Sequence, residues 1–207
     1  MEREYKWMIP QDTLAALADF LHQEQTRLSH ETLHMAAIYY DTEDDLVYKN
    51  GAALRIRQEN DRSVCCMKRT LKKEGAQALR EEYEVEAQTL TEGLKKLPAA
   101  GAPQELCDLL SGQQFRELGR TDFIRNCYLL EISADALFTA EFAVDVGALG
   151  ASGAMQSFEE LELELKSGDT AAFISYAEML ERKFALIPQK RSKLARAIAA
   201  AAQTASQ

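Results

Sequence analysis

The sequence predicts an α+β protein in which a sheet with one charged and one apolar face is covered by amphipathic helices. Three observations predict it. Several segments alternate charged and apolar residues with a period of two, most cleanly Glu160-Leu161-Glu162-Leu163-Glu164-Leu165-Lys166. Two others space apolar residues for a helix, at Leu14, Leu17, Ala18 and Leu21 and at Phe173, Tyr176, Ala177, Leu180 and Phe184. Turn residues divide these segments and let neighbouring strands pair back as hairpins. With 207 residues, 46% of them hydrophobic, the chain is long enough for one domain with a sizeable core. That domain is expected over residues 1–201, with 202–207 as a fraying tail.

The first strand is Glu2-Arg3-Glu4-Tyr5-Lys6-Trp7, with Glu2, Glu4 and Lys6 on one face and Tyr5 and Trp7 on the other. Pro10 and Asp12 start the first helix. The polar stretch Ser29 to Thr32 reads as a loop, and Met35 to Tyr40 as a strand running into Asp41-Thr42. Gly51 turns the chain into a strand from Ala52 to Arg57, where Leu54 and Ile56 oppose Arg55 and Arg57. Asn60 to Ser63 is turn chemistry, so Val64 to Arg69 pairs back, with Cys66 and Lys68 in phase. Residues 72–78, with Gly75, are expected to loop. The next strand, Leu79 to Ala87, places Arg80, Glu82, Glu84 and Glu86 on one side.

Two short helices follow, Thr91 to Leu97 with Thr91 as cap and Pro103 to Leu110. Phe115 to Gly119 leads to a strand from Thr121 to Ile132, whose in-phase residues include Thr121, Phe123, Arg125 and Cys127. Leu137 to Val146 is another, with Glu141, Ala143 and Asp145 in phase. The Gly, Ala and Ser-rich run from Gly147 to Ser157 reads as a loop. After the Glu160 strand, Gly168 and Asp169 end the segment and cap a helix from Thr170 to Phe184, which Pro188 breaks. Ser192 caps a last helix, Lys193 to Ala202.

A formal net charge of -9 argues against general nucleic-acid or anionic-membrane binding, because both are driven by positive fields. No apolar run reaches bilayer-spanning length, and Met1-Glu2-Arg3 leads into charge, so a cytoplasmic location is expected. Cys65, Cys66, Cys107 and Cys127 lack metal-ligand spacing and read as buried free thiols, the adjacent pair pointing to opposite faces. His22, His30 and His34 carry no assigned chemistry.

The charges on the polar strand faces are sorted. The first and late strands are acidic, through Glu2, Glu4, Asp145, Glu160, Glu162 and Glu164; the middle strands offer Arg55, Arg57, Lys68, Arg80 and Arg125. A solvated face usually intersperses the signs. An acidic wall and a basic wall suit a polyanion held together with divalent cations.

The sequence of motifs resembles the CYTH superfamily, or triphosphate tunnel metalloenzymes. The motifs are Glu2/Glu4/Lys6, Tyr40-Asp41-Thr42, Leu54-Arg55-Ile56-Arg57, Lys68, Arg80/Glu82/Glu84, Arg125, Asp145, Glu160/Glu162/Glu164 and Ser192-Lys193, in that order over most of the chain. The resemblance implies a closed eight-stranded antiparallel β-barrel, a tunnel with a charged interior and helices packed outside. It implies Mg2+ or Mn2+ held by Glu2, Glu4, Asp145, Glu160, Glu162 and Glu164, Asp145 serving either as a ligand or as an anchor for Arg125. Phosphate contacts would come from Lys6, Arg55, Arg57, Lys68, Arg80, Arg125, Lys190 and Lys193, with Lys72 a rival to Lys68. Glu2, Glu4, Lys6 and Arg57 would be the catalytic set, with Glu82, Glu84 and Glu141 as further tunnel residues. Lys190 and Lys193, at a helix start where cations are unfavourable, would close one mouth over phosphate.

The implied reaction is metal-dependent hydrolysis of inorganic triphosphate, a small-molecule polyphosphate, by direct attack of water; the sequence offers no convincing side-chain nucleophile. The resemblance is nearest to bacterial inorganic triphosphatases, without room for the second helical domain of two-domain members. Class IV adenylate cyclases and thiamine or nucleoside triphosphatases share these motifs but need a base-recognition or aromatic platform, and Trp7 falls on the outward phase. A polyphosphate-binding module would keep the basic wall without the carboxylates. Oligomeric state is not legible in the sequence.

Overall fold

The computed structural model describes residues 3–23, 26–74, 77–151 and 153–204, with side chains described at all of these except 70–74, 77–80 and 203–204. Among the described residues, nine strands form one antiparallel sheet: β1 (Glu4–Met8), β2 (Arg27–Thr42), β3 (Ala52–Glu59), β4 (Arg62–Glu74), β5 (Gln77–Glu86), β6 (Phe115–Ser133), β7 (Leu137–Ala151), β8 (Ala154–Gly168) and β9 (Ile187–Pro188), in the order β5-β4-β3-β2-β6-β7-β8-β1-β9. The helices are α1 (Leu14–Gln23), α2 (Leu46–Lys49), α3 (Leu90–Lys96), α4 (Gln104–Leu110), α5 (Thr170–Lys183) and α6 (Lys193–Thr204), with a 3-10 turn at Leu97–Ala100.

Alternation decides the faces as the sequence predicts. Trp7, Leu161, Leu163, Phe142, Val144, Tyr128 and Leu130 point to the outer face and pack under α1 and α5. Trp7 is 1% exposed, and its indole Nε1 donates to Glu181 Oε2 of α5 at 2.6 Å. Leu54, Cys65, Met67 and Ala87 build a second outer core with α3 and α4. The Asp169 carboxylate caps α5 by accepting from Ala172 N at 2.7 Å, and Ser192 Oγ caps α6 by accepting from Ala195 N at 3.1 Å.

Several expectations are corrected. Residues 29–32 are strand, because β2 continues back along β6 to Arg27 opposite Leu130. The expected loop at Gly147 to Ser157 is instead the tip of a long β7–β8 hairpin, paired as far as Ala151 with Ala154. Glycine at 147 lets β7 pass close to β6, where a Cβ would lie 2.3 Å from Asp122 O. The backbone at 72–74 and 77–78 is paired strand rather than loop. Phe115 to Ile132 is one strand with no break at Gly119. The cap of α3 is Thr89, which accepts from Glu92 N, in place of Thr91. The last helix reaches Thr204, two residues beyond the expected end.

The sheet also differs from a closed eight-stranded barrel. No ladder joins β5 to β1 among the described residues. The free edge of β1 is taken by β9, where Trp7 pairs with Pro188 and Met8 with Ile187, and Gln189 N donates to Lys6 O at 2.8 Å. Nor are all helices outside. Met35, Phe123, Leu149 and Phe158 belong to the inner faces of their strands, and α6 lies on them through Ala197 and Ala200. A Cβ at Gly119 would stand 2.9 Å from Ala197 Cβ and 2.9 Å from Gly150 O, so glycine there lets α6 seat against the sheet.

Candidate functional site

The sheet curls around a cavity of about 590 Å³ that residues of all strands from β1 to β8, and the start of α6, line together. Strands from both ends of the sheet order meet there only because the sheet is strongly coiled. Among the described residues, its charged lining is balanced: Lys6, Arg55, Arg57, Lys68, Arg125 and Lys193 face Glu4, Glu82, Glu84, Glu141, Glu162 and Glu164.

Strand register sets the acidic side in rows. Glu4, Glu164 and Glu141 lie opposite one another across β1, β8 and β7; Lys6, Glu162 and Ala143 form the next row; Met8, Glu160 and Asp145 the third. Like charges directly opposite repel, and cations are interleaved accordingly. Lys166 Nζ lies 2.7 Å from Glu164 and 3.6 Å from Glu141. Lys6 Nζ lies 2.9 Å from Glu162 and 3.6 Å from Glu4. Arg125 donates to both Asp145 oxygens at 2.7 Å and to Glu162 at 2.6 Å.

In the third row the carboxylates are sealed. Asp145 and Glu160 are fully buried and do not line the cavity; Lys193, 8% exposed, stands among them, 2.9 Å from Asp145, 2.8 Å from Glu162 and bonded to Glu160. Arg196 donates to Glu160 at 2.7 Å. Burial works against every charge here. At Glu160 it prevails and pushes the carboxyl up, although Lys193 pulls the other way. At Glu162 burial is outweighed by Lys193, Arg125 and Lys6, which hold the carboxyl well below the ordinary range. Lys193 and Lys6 are likewise raised: burial would lower them, and their carboxylate neighbours, Glu162 first, overcome it.

The basic side is paired as well. Arg55 donates to Tyr39 OH and to Glu82, both at 3.2 Å, and Lys68 to Glu82 at 3.0 Å. Arg57 donates to Glu84 at 2.9 Å and bonds Glu59. Burial opposes ionisation of Glu82, but Lys68 and Arg55 outweigh it and depress the carboxyl. Cys66 Sγ faces Glu84 at 3.3 Å, whereas Cys65 is in the outer core, as the opposite-face reading expects.

Of the residues singled out from sequence, Glu4, Lys6, Arg55, Arg57, Lys68, Glu82, Glu84, Arg125, Glu141, Glu162, Glu164 and Lys193 converge on one cavity. Lys190 does not join them; it is exposed, two residues before Ser192 at the cavity. Glu2 lies outside the described residues, as do the side chains of Arg80 and Lys72. Sequence reasoning passed over Arg196, Glu59 and Tyr39. Arg196 follows Lys193 by one helical turn and Glu59 follows Arg57 by one strand repeat, so periodicity could have found both.

The donor set fits a hard divalent cation, being all carboxylate oxygen. Glu4, Glu162 and Glu164 reach the cavity directly. One oxygen from each of Asp145, Glu160 and Glu162 lies within 4.8 Å of the others, around the Lys193 ammonium.

Comparison with known proteins follows the same outline. The CYTH domain model matches residues 1–198. An inorganic triphosphatase of Haemophilus influenzae is 30% identical over 157 residues, which is 75% of this chain and 42% of that protein; the chain therefore spans well under two thirds of that relative. Among solved structures, a Hippeastrum protein proposed as an adenylyl cyclase, with a dominant triphosphatase activity, is 19% identical with a TM-score of 0.65 over 97% of both chains. A Bacillus halodurans protein proposed as an adenylate cyclase is 21% identical with a TM-score of 0.57, over 95% of this chain and 96% of that one. These two likenesses concern the fold alone.

Proposed function

We propose, from the premise that the chain belongs to the CYTH domain family, that it hydrolyses inorganic triphosphate to pyrophosphate and phosphate with Mg2+ or Mn2+. The observation that carries this reading is the balanced cavity, with six cations and six carboxylates on one lining among the described residues. A linear triphosphate brings about four to five negative charges near neutral pH into a lining whose own charges cancel, so entry requires further cations. The relative of known activity supports the same substrate.

In this reading Arg55 and Arg57 hold phosphate oxygens with their planar guanidinium groups and Lys68 acts as a point charge. Glu82 and Glu84 keep those groups extended until phosphate exchanges for them. Glu4, Glu162 and Glu164, with Glu2 from the same strand pattern, would hold the divalent cation, which when bound polarises phosphate oxygens and lowers the pKa of water. Lys6, between Glu4 and Glu162, would add a cation for the phosphate chain. Asp145 orients Arg125 through its two-oxygen contact, and Glu160 holds Lys193 and Arg196. Catalysis then rests on positioning and electrostatics in a preformed lining. The closed tunnel of the family is compatible with a sheet this strongly curled.

The test is release of phosphate and pyrophosphate from triphosphate, ATP and thiamine triphosphate with Mg2+ or Mn2+, with cyclic AMP assayed in the ATP reaction. Equimolar phosphate and pyrophosphate from triphosphate is expected. Cyclic AMP as the main product refutes the hydrolase reading, and binding without turnover of any substrate favours a polyphosphate-binding module.

A further inference from the structure

We infer that the Thr121 hydroxyl donates to a phosphate oxygen on the inner floor of the cavity, beneath the first turn of α6, a contact that rests on the triphosphate reading above. Thr121 lines the cavity but is only 2% exposed, and its Oγ1 is itself buried with no hydrogen-bond partner among the described residues, so a phosphate oxygen reaches it by displacing the side chains that cover it. A buried hydroxyl without a partner is costly and uncommon in folded proteins. Its neighbours on β6 fix its place. Gly119 packs on Ala197, and the Phe123 ring lies 5.4 Å from Lys193 Nζ, so Thr121 sits between them and faces α6 one turn from its start.

The surroundings select an anion. Across the sheet Thr121 is followed by Ala37 and then Arg57, so only a methyl separates the hydroxyl from the guanidinium in that row. Arg57 Nε is itself buried without a partner among the described residues. From β7 to β3 the row reads Leu149, Thr121, Ala37 and Arg57, so no carboxylate stands beside the hydroxyl in its own row, and the acids nearest to that row's guanidinium, Glu84 and Glu59, are already bonded to it. The twelve-residue α6 adds the positive end of its dipole from above. The oxygens of a tetrahedral phosphate accept from O–H and N–H donors alike, and this row offers one of each, two strands apart.

Thr121→Val removes the hydroxyl with little change in shape, and Thr121→Ser keeps it. With triphosphate and Mg2+, the Val variant is expected to lose about tenfold or more in kcat/KM, as for one hydrogen bond to a charged group, and the Ser variant to recover most of it. Without triphosphate the Val variant should melt no lower than wild type. The thermal shift induced by triphosphate, with and without EDTA, should be smaller in the Val variant. Wild-type kcat/KM together with a wild-type shift in Thr121→Val overturns the inference. If the wild type shifts but does not hydrolyse, the hydrolase reading fails and the shifts of the two variants alone decide the contact. A wild type that neither shifts nor hydrolyses overturns both.

Discussion

Lys193→Met tests the sealed ion cluster most directly. The ammonium is nearly buried and bonds three carboxylates, so its removal leaves acids facing one another with no water to screen them. Losing one partner of a buried ion pair costs about 3–5 kcal/mol. The lower end applies, because Arg125 still holds Asp145 and Glu162, and Arg196 still holds Glu160. For a chain of this size about 3 kcal/mol corresponds to a fall in Tm of roughly 6–12 °C. The same substitution opens a set of three carboxylate oxygens within 4.8 Å of one another. Mg2+ or Mn2+ should therefore raise the melting temperature of the variant more than that of the wild type. Differential scanning calorimetry in EDTA and in millimolar metal measures both effects. A variant melting within about 2 °C of wild type in EDTA, with no larger response to metal, would refute the reasoning.

Two further predictions concern protonation. Because Lys68 and Arg55 depress the Glu82 carboxyl despite its burial, its ionised form stabilises the fold above the unfolded carboxylate pKa, and that contribution is lost as pH falls through the folded value. Glu82→Gln should cost roughly 1 kcal/mol at pH 7, given partial exposure, and flatten the acid limb of stability measured by urea unfolding against pH; an unchanged limb contradicts the assignment. The same substitution frees Arg55 and Lys68, so triphosphate should bind more tightly by calorimetric titration, and weaker binding would mean that Glu82 orients rather than competes. Burial pushes the Cys65 and Cys127 thiols up to about 12 and raises Cys66 and Cys107. A disulfide reagent at pH 8 should accordingly label the native protein slowly and all four thiols after denaturation, whereas a fast-reacting native thiol would contradict the burial.

Strand faces were legible because a period of two needs only local sequence: Glu4 and Lys6 against Tyr5 and Trp7, or Arg55 and Arg57 against Leu54 and Ile56, can sort only one way. Strand ends were not, since Gly147 to Ala151 looks like loop sequence and is held extended by its partners on β6 and β8. The position of α6 was equally hidden. Ala197 and Ala200 would suit either side of a sheet, and only the meeting of Gly119 with Ala197 seats the helix inside. Charge sorting along the sequence predicts two opposed walls, but cross-strand pairing of Lys68 with Glu82 and of Cys66 with Glu84 brings acids into the basic side. Such neighbours are set by the hairpin register and are invisible to a strand read alone.

The cancellation of charge on the cavity lining also bears on how a ligand arrives. At a distance the molecule presents its net charge of -9, which repels a polyphosphate and is screened beyond about 8 Å, the Debye length at physiological ionic strength, so the lining and its added cations act only at contact. Capture should then be hastened by moderate salt, which screens the repulsion while leaving the enclosed contacts largely intact, the reverse of the behaviour of proteins that steer anions to a basic surface.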